Sequence, residues 1–151
     1  MNLGDLTKPE LIYVDLPGSD RPTILQAMSD RLAESHVCED ADDLYRNLWE
    51  REELGSTAIG SGVAIPHCKM KDLDEVIVAI GVSRREVDFA SEDGNPVRLL
   101  FLVISPEDKP ADHLRSLAAI SKWVKSDSHV EDLLKAGDAD EIYRLLKEQG
   151  G

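Results

Sequence analysis

The stretch Val97-Arg-Leu-Leu-Phe-Leu-Val-Ile104 limits the possible folds of this chain more than any other, because it is apolar at every position but Arg98. A strand of this kind does not alternate wet and dry faces, so it has to lie centrally in a sheet and be covered on both sides. A second β-rich run, Val76-Ile-Val-Ala-Ile-Gly-Val82, precedes it, and Ser91-Glu-Asp-Gly-Asn-Pro96 between them reads as a turn. Leu11-Ile-Tyr-Val-Asp-Leu16 is a further candidate strand, and Val63-Ala-Ile-Pro66 ends another. The covering layers come from segments with helical period. Ile24, Leu25, Met28 and Leu32 predict a helix over 23–35, after the breaker Pro17-Gly-Ser-Asp-Arg-Pro22. Leu44, Tyr45, Leu48 and Trp49 share one face of a second helix, capped by Asp40 or Asp42 and ending near Arg51 to Leu54, before Gly55. Leu114, Leu117, Ala118, Ile120, Ser121 and Val124 mark a third over 108–125, with Pro110 tolerable in its first turn. Two short helices, 130–135 and 140–147, follow. This order predicts an α/β fold, a mixed sheet sandwiched by helices.

Length and charge narrow the function. At 151 residues the chain is expected to form a single domain over 1–151, large enough for one core without disulfides or a structural metal. No apolar run approaches the roughly 18 to 20 residues of a membrane span. The start, Met-Asn-Leu-Gly-Asp-Leu-Thr-Lys-Pro-Glu, lacks a basic and then apolar leader, so a cytoplasmic protein without direct membrane insertion is expected. Cys38 and Cys68 are too few for a disulfide framework and are expected as free thiols. A formal charge of −13 repels nucleic-acid phosphates and anionic lipids, which excludes nucleic acid as a partner. The same field speeds encounter with a basic protein patch, although an acidic surface also serves solubility alone.

The chemistry concentrates in Arg51-Glu-Glu-Leu-Gly-Ser-Thr-Ala-Ile-Gly-Ser-Gly-Val-Ala-Ile-Pro-His67. A neutral imidazole is a good nucleophile near pH 7. Glycine-rich turns let backbone N–H groups approach anionic oxygens, and arginine offers them a forked, permanently charged donor set. Pro66 fixes its own φ and biases Ile65 toward an extended conformation, so His67 is delivered at a defined angle at a strand end. Arg51 falls in the last turn of the second helix, where it also complements the helix dipole. His113 falls in the first turn of the long helix, where free N–H groups and partial positive charge favour an anion and a neutral ring. These parts suit the receipt and release of phosphate, with the Thr57 hydroxyl and the glycine-rich N–H groups as further stabilisers. His36 and His129 lie in polar stretches at helix boundaries and read as solvated or capping residues. His36 with Cys38, or His67 with Cys68, lacks paired metal-ligand spacing, so no metal is expected.

The Arg51–His67 segment resembles the active-site signature of the enzyme IIA domains of the bacterial phosphoenolpyruvate-dependent phosphotransferase system, fructose/mannitol type, including the stand-alone nitrogen-regulatory forms. The resemblance continues through Val87-Asp-Phe89, the Gly94-Asn-Pro-Val-Arg-Leu-Leu-Phe-Leu-Val run and His113-Leu-Arg-Ser-Leu-Ala-Ala-Ile-Ser121, and so covers most of the chain. It implies that His67 takes a phosphoryl group from a histidine-containing phosphocarrier protein and donates it to a cysteine or histidine of a downstream partner. It also makes His113 the second active-site histidine and Arg51 the cation beside it. Cys68 departs from the glycine or other small residue more frequent after this histidine. The loop expected after His67, Cys-Lys-Met-Lys-Asp, is variable in the family.

Phosphoryl transfer of this kind requires positioning and charge stabilisation more than covalent machinery. It requires no cofactor, and the chain has no Gly-x-x-x-x-Gly-Lys-Ser/Thr nucleotide loop. The acceptor is expected to be a IIB domain in sugar uptake, or a partner protein regulated by the phosphorylation state. A hydrolase that uses Cys68 with His113 is a third reading, which requires the thiol and imidazole within hydrogen-bond reach.

Overall fold

The computed structural model describes residues Met1 to Gly151. Two short 3₁₀ turns lead into β1 (Ile12–Tyr13), α1 (Arg21–Glu34) and α2 (Ala41–Glu53). Four strands follow: β2 (Ala58–Gly60), β3 (Val63–Ala64), β4 (His67–Met70) and the long β5 (Ile77–Val87). The central β6 (Val97–Pro106) and helices α3 (Pro110–Trp123), α4 (Asp127–Lys135) and α5 (Ala139–Gln149) complete the chain.

The sheet runs β1-β5-β6-β3-β2, with β4 pairing β6 beyond the end of β3. It is mixed: β5 is antiparallel to β6, whereas β3 and β4 are both parallel to it. The expectation for Val97–Ile104 is met in β6, whose side chains alternate between two apolar layers. Leu99, Phe101 and Val103 join Ile120, Trp123, Leu133, Ile142 and Leu146 of α3, α4 and α5. Leu100, Leu102 and Ile104 join Ile24, Leu25, Met28, Leu32, Leu44 and Leu48 of α1 and α2. Burial on both faces is what forces the run to lack polar alternation.

Helix starts follow their caps. Asp20 accepts from the Thr23 N–H, Asp40 from those of Asp42 and Asp43, and Asp138 from that of Glu141, each satisfying donors left free at a helix start. Asp40, not Asp42, therefore caps α2.

Several expectations change. The candidate strand 11–16 shrinks to Ile12–Tyr13, with Pro9–Leu11 wound as a 3₁₀ turn. The strand at Val63 does not end the local pairing at Pro66: the chain steps past Ile65 and Pro66 and re-enters the sheet as β4, with His67 opposite Val103. Residues 68–70, expected in a loop, are thus strand. Leu114 and Ala118, counted on the apolar face of α3, are exposed, and the buried positions are His113, Ser116, Ile120 and Trp123. The period was right and its phase was off, because His113 and Ser116 occupy the buried face as polar residues.

Candidate active site

Strand period places His67. Along β4, His67 and Lys69 point to one side of the sheet and Cys68 and Met70 to the other, where Cys68 joins the layer beneath α1 and α2. The His67 ring is half-buried, and its Nδ1 lies 2.7 Å from the Ile65 carbonyl oxygen. A carbonyl only accepts, so Nδ1 carries the proton and Nε2 is the free, basic nitrogen. Burial lowers the His67 pKa; the bond to Ile65 and the charge of Glu52 oppose this, and Arg51 adds to it.

His113, in the first turn of α3, is only 6% exposed, and its Nδ1 lies 2.6 Å from the Ser105 Oγ. The two imidazole centroids are 5.4 Å apart and their planes are inclined by 59°. Burial lowers the pKa of His113 as well, with the neighbouring His67 and Lys69 acting in the same direction. One strand thus serves both rings: β6 carries Val103 opposite His67, and Ser105, two residues on, holds His113.

Arg51 stands in the last turn of α2, as expected, and donates from Nη1 to the Gly55 carbonyl at 2.8 Å. Arg51 and His67 border two adjoining clefts. The larger, of about 390 Å³, also takes in Asn47, Glu50, Leu54, Cys68, Lys69 and His113. The smaller, of about 180 Å³, is completed by Ser56, Thr57, Ala58, Ile59, Ile65, Leu117 and Ser121. His67, His113 and Arg51 are therefore brought together at one surface depression.

Thr57 is beside them but faces inward. It is buried, its hydroxyl donates to the Glu52 Oε2 and its N–H to the Glu52 Oε1 at 3.1 Å. The hydroxyl expected to stabilise phosphate thus has a carboxylate as its partner. The glycines also fall elsewhere than expected. Gly60, Ser61 and Gly62, all at positive φ, form the tip of the β2–β3 hairpin and border neither cleft. The Ser61 N–H is held by Asp93. The part of the segment that reaches His67 is Ser56–Ile59, where the Ala58 N–H bonds the Ser56 Oγ. The positive charge available to an anion comes instead from Arg51 and Lys69.

Sequence reasoning missed Glu52 and Ser105. For Glu52 a signal existed: Leu44, Leu48 and Glu52 follow each other at intervals of four along α2, so the carboxylate continues the buried stripe. Nothing in the local sequence marks Ser105, whose partner lies on another element. Cys68 is 8% exposed, and burial raises its thiol pKa to about 12. No hydrogen bond joins Cys68 to His113, whose Nδ1 has Ser105 as its partner, so the pairing that a Cys68–His113 hydrolase needs is not formed. His36 is exposed at the end of α1. His129 stacks on Trp123 at 4.5 Å between ring centroids and bonds the Trp123 carbonyl, a structural role.

The family described as "Phosphoenolpyruvate-dependent sugar phosphotransferase system, EIIA 2" matches residues 5–149. The chain belongs to this family. A nitrogen regulatory protein of Bradyrhizobium diazoefficiens is 36% identical over 146 residues, spanning 97% of this chain and 95% of that one. A fructose-specific EIIA component of Haloferax volcanii is 29% identical over 147 residues, spanning 97% and 96%. The crystal structure of the nitrogen regulatory protein IIA-Ntr from Neisseria meningitidis superposes with a TM-score of 0.86 at 29% identity, over 95% of this chain and 98% of that one. The depression is open: Leu54 and Ile59, at the cleft borders, are 84% and 47% exposed, and Leu114, next to His113, is 66% exposed. Apart from Met1, these are the large hydrophobic side chains left in water, and they gather around the paired histidines.

Proposed function

We propose that this EIIA chain is a phosphoryl carrier, with His67 as the acceptor and donor atom set. The observation that carries the reading is the pairing of His67 and His113 beside Arg51, with Nδ1 of each ring engaged and Nε2 left free. Nε2 of His67 attacks the phosphorus of a phosphohistidine on the phosphocarrier protein, and the donor nitrogen leaves. Arg51 and His113 stabilise the equatorial oxygens, and the same groups hold the phosphoryl until the acceptor arrives. The ring of exposed Leu54, Ile59 and Leu114 gives two successive protein partners an apolar surface to bind. We assign residues 1–151 to one such domain, acting in the cytoplasm; no helix of the structure is long and apolar enough to cross a membrane.

The test is incubation with phosphocarrier, its kinase and phosphoenolpyruvate, followed by intact-mass measurement. The wild-type chain gains one phosphate and His67→Ala gains none; an undiminished gain in the mutant overturns the assignment.

For the acceptor, sugar uptake through a IIB domain is the main reading, and the fructose-specific relative supports it. Regulation of a partner by phosphorylation state is the second, supported by the similarity to nitrogen regulatory proteins. Rapid loss of phosphate to a IIB domain favours uptake. Capture of a partner protein by only one phosphorylation state favours regulation.

A further inference from the structure

The carboxylate of Glu52 is the one acidic side chain buried to 1% exposure, and it follows Arg51 in the last turn of α2. It is neither a surface charge nor a member of either cleft. Its Oε1 accepts from the Thr57 N–H at 3.1 Å and from Arg21 Nη1 at 3.3 Å, and its Oε2 accepts from the Thr57 hydroxyl. Arg21 is itself placed over the Trp49 ring, 5.0 Å from its centroid. From Thr57 the contacts continue toward the site. The Thr57 carbonyl accepts from the Ile65 N–H at 3.0 Å, and the Ile65 carbonyl accepts from His67 Nδ1 at 2.7 Å. Hydrogen bonds alternating with the backbone of Thr57 and Ile65 therefore connect a buried anion to the nucleophilic imidazole.

A buried carboxylate is costly to keep unless it is well bonded, and a hydrophobic residue at this place on the Leu44–Leu48 stripe would suffice for packing. We propose that Glu52 is a positioning residue for phosphoryl transfer, which acts through Thr57 and Ile65 to fix the orientation and Nδ1–H tautomer of His67. The link is geometric and electrostatic: the peptide groups of Thr57 and Ile65 hold the ring, and the negative charge behind them stabilises the charge that the ring acquires. In the transfer, the bond from Nε2 to phosphorus forms as the donor's nitrogen–phosphorus bond breaks. The His67 ring keeps its Nδ1 proton and takes on the positive charge that the donor ring gives up. Arg51, which precedes Glu52 in α2, opposes that charge; Lys69 and His113 line the same cleft, and Glu50, at its border, is another nearby anion. Glu52, itself paired with Arg21, offsets Arg51 at His67 without competing for the phosphoryl oxygens, because it lines neither cleft.

This inference rests on His67 as the phosphoryl acceptor, and its test includes a readout independent of phosphate. The ring nitrogens of labelled histidine are followed by NMR as a function of pH in wild type, Glu52→Gln and Thr57→Val, alongside the rate of phosphoryl acceptance. Glu52→Gln retains the shape and removes the charge. In the folded variant we expect His67 to titrate at lower pH with a reduced share of the Nδ1–H tautomer, and acceptance to slow by about tenfold or more, the scale on which small misplacements act. A folded Glu52→Gln with unchanged His67 titration, tautomer and rate overturns the proposal. If Glu52→Gln does not fold, Thr57→Val, which removes one of these hydrogen bonds, carries the same comparison, and an unchanged His67 titration there overturns it equally. Should wild type gain no phosphate while the His67 titration still responds to Glu52, the positioning stands and the carrier reading falls.

Discussion

His67 and His113 approach to 5.4 Å between ring centroids although 45 residues of chain and a central strand separate them, and each is anchored through Nδ1 on a different partner. Ile65 supplies a carbonyl, which accepts only, and so settles the tautomer of His67. Ser105 supplies a hydroxyl, which can donate or accept, and so leaves His113 either tautomer. The asymmetry suits a division of labour in which His67 must present a lone pair on Nε2 and His113 can donate to an anion bound there.

Removing the His113 ring tests that division. His113→Ala is expected to accept phosphate on His67 still, but to pass it on about 10²-fold more slowly, the scale of losing one stabilising donor. Quenched-flow transfer from the phosphorylated chain to an acceptor domain measures this. An unchanged onward rate removes His113 from the site.

Both imidazoles have pKa values lowered chiefly by burial, so the unfolded chain binds protons more readily than the folded one below the ordinary value of 6.5. The stability they permit is fully present above that pH. It is lost progressively as the pH falls from 6.5 through the lowered folded values. Thermal melting at pH 7.5 and 5.5, above the ordinary carboxylate range, should show a decline that is smaller in His67→Gln/His113→Gln. An equal decline in the double variant contradicts the shared desolvation.

Leu54→Asp places a charge at the cleft border, and Leu114→Asp places one on the exposed surface beside His113. Both positions are exposed, so stability should change by no more than about 0.5 kcal/mol. The KM for phosphocarrier should rise by about tenfold, corresponding to roughly 1.4 kcal/mol of lost contact. Steady-state transfer kinetics with varied phosphocarrier provide the measurement, and an unchanged KM in both variants places docking elsewhere.

The Cys68 thiol, raised to about 12 and buried, is expected to resist alkylation at pH 8 in the folded Cys38→Ser variant and to react on unfolding. Mass measurement after iodoacetamide treatment reads the difference. Fast native labelling, with loss of phosphoryl acceptance, would return the thiol to the chemistry of the site.

Much of this protein was open to reading from residue order alone. The apolar run of β6 announced a central strand, the period of 24–32 and 44–49 announced the helices beneath it, and Arg51, His67 and His113 stood out by type and setting. Local rules reach that far, because helix and strand periods, caps and proline restrictions act over a few residues. The phase of α3 escaped them: Leu114 is exposed and His113 buried because Ser105, on another element, offers the ring a partner.

Residue order alone determined the kinds of group available, an imidazole after proline, a helix-end arginine and a second imidazole at a helix start. Only the tertiary structure decided their use. It turned the Thr57 hydroxyl to Glu52, carried the glycine tip away from His67 toward Asp93, and set Ser105 and Ile65 against the two rings. The reason is that a buried polar atom must find its partner wherever packing brings one near, and packing of layers joins positions that no local rule relates.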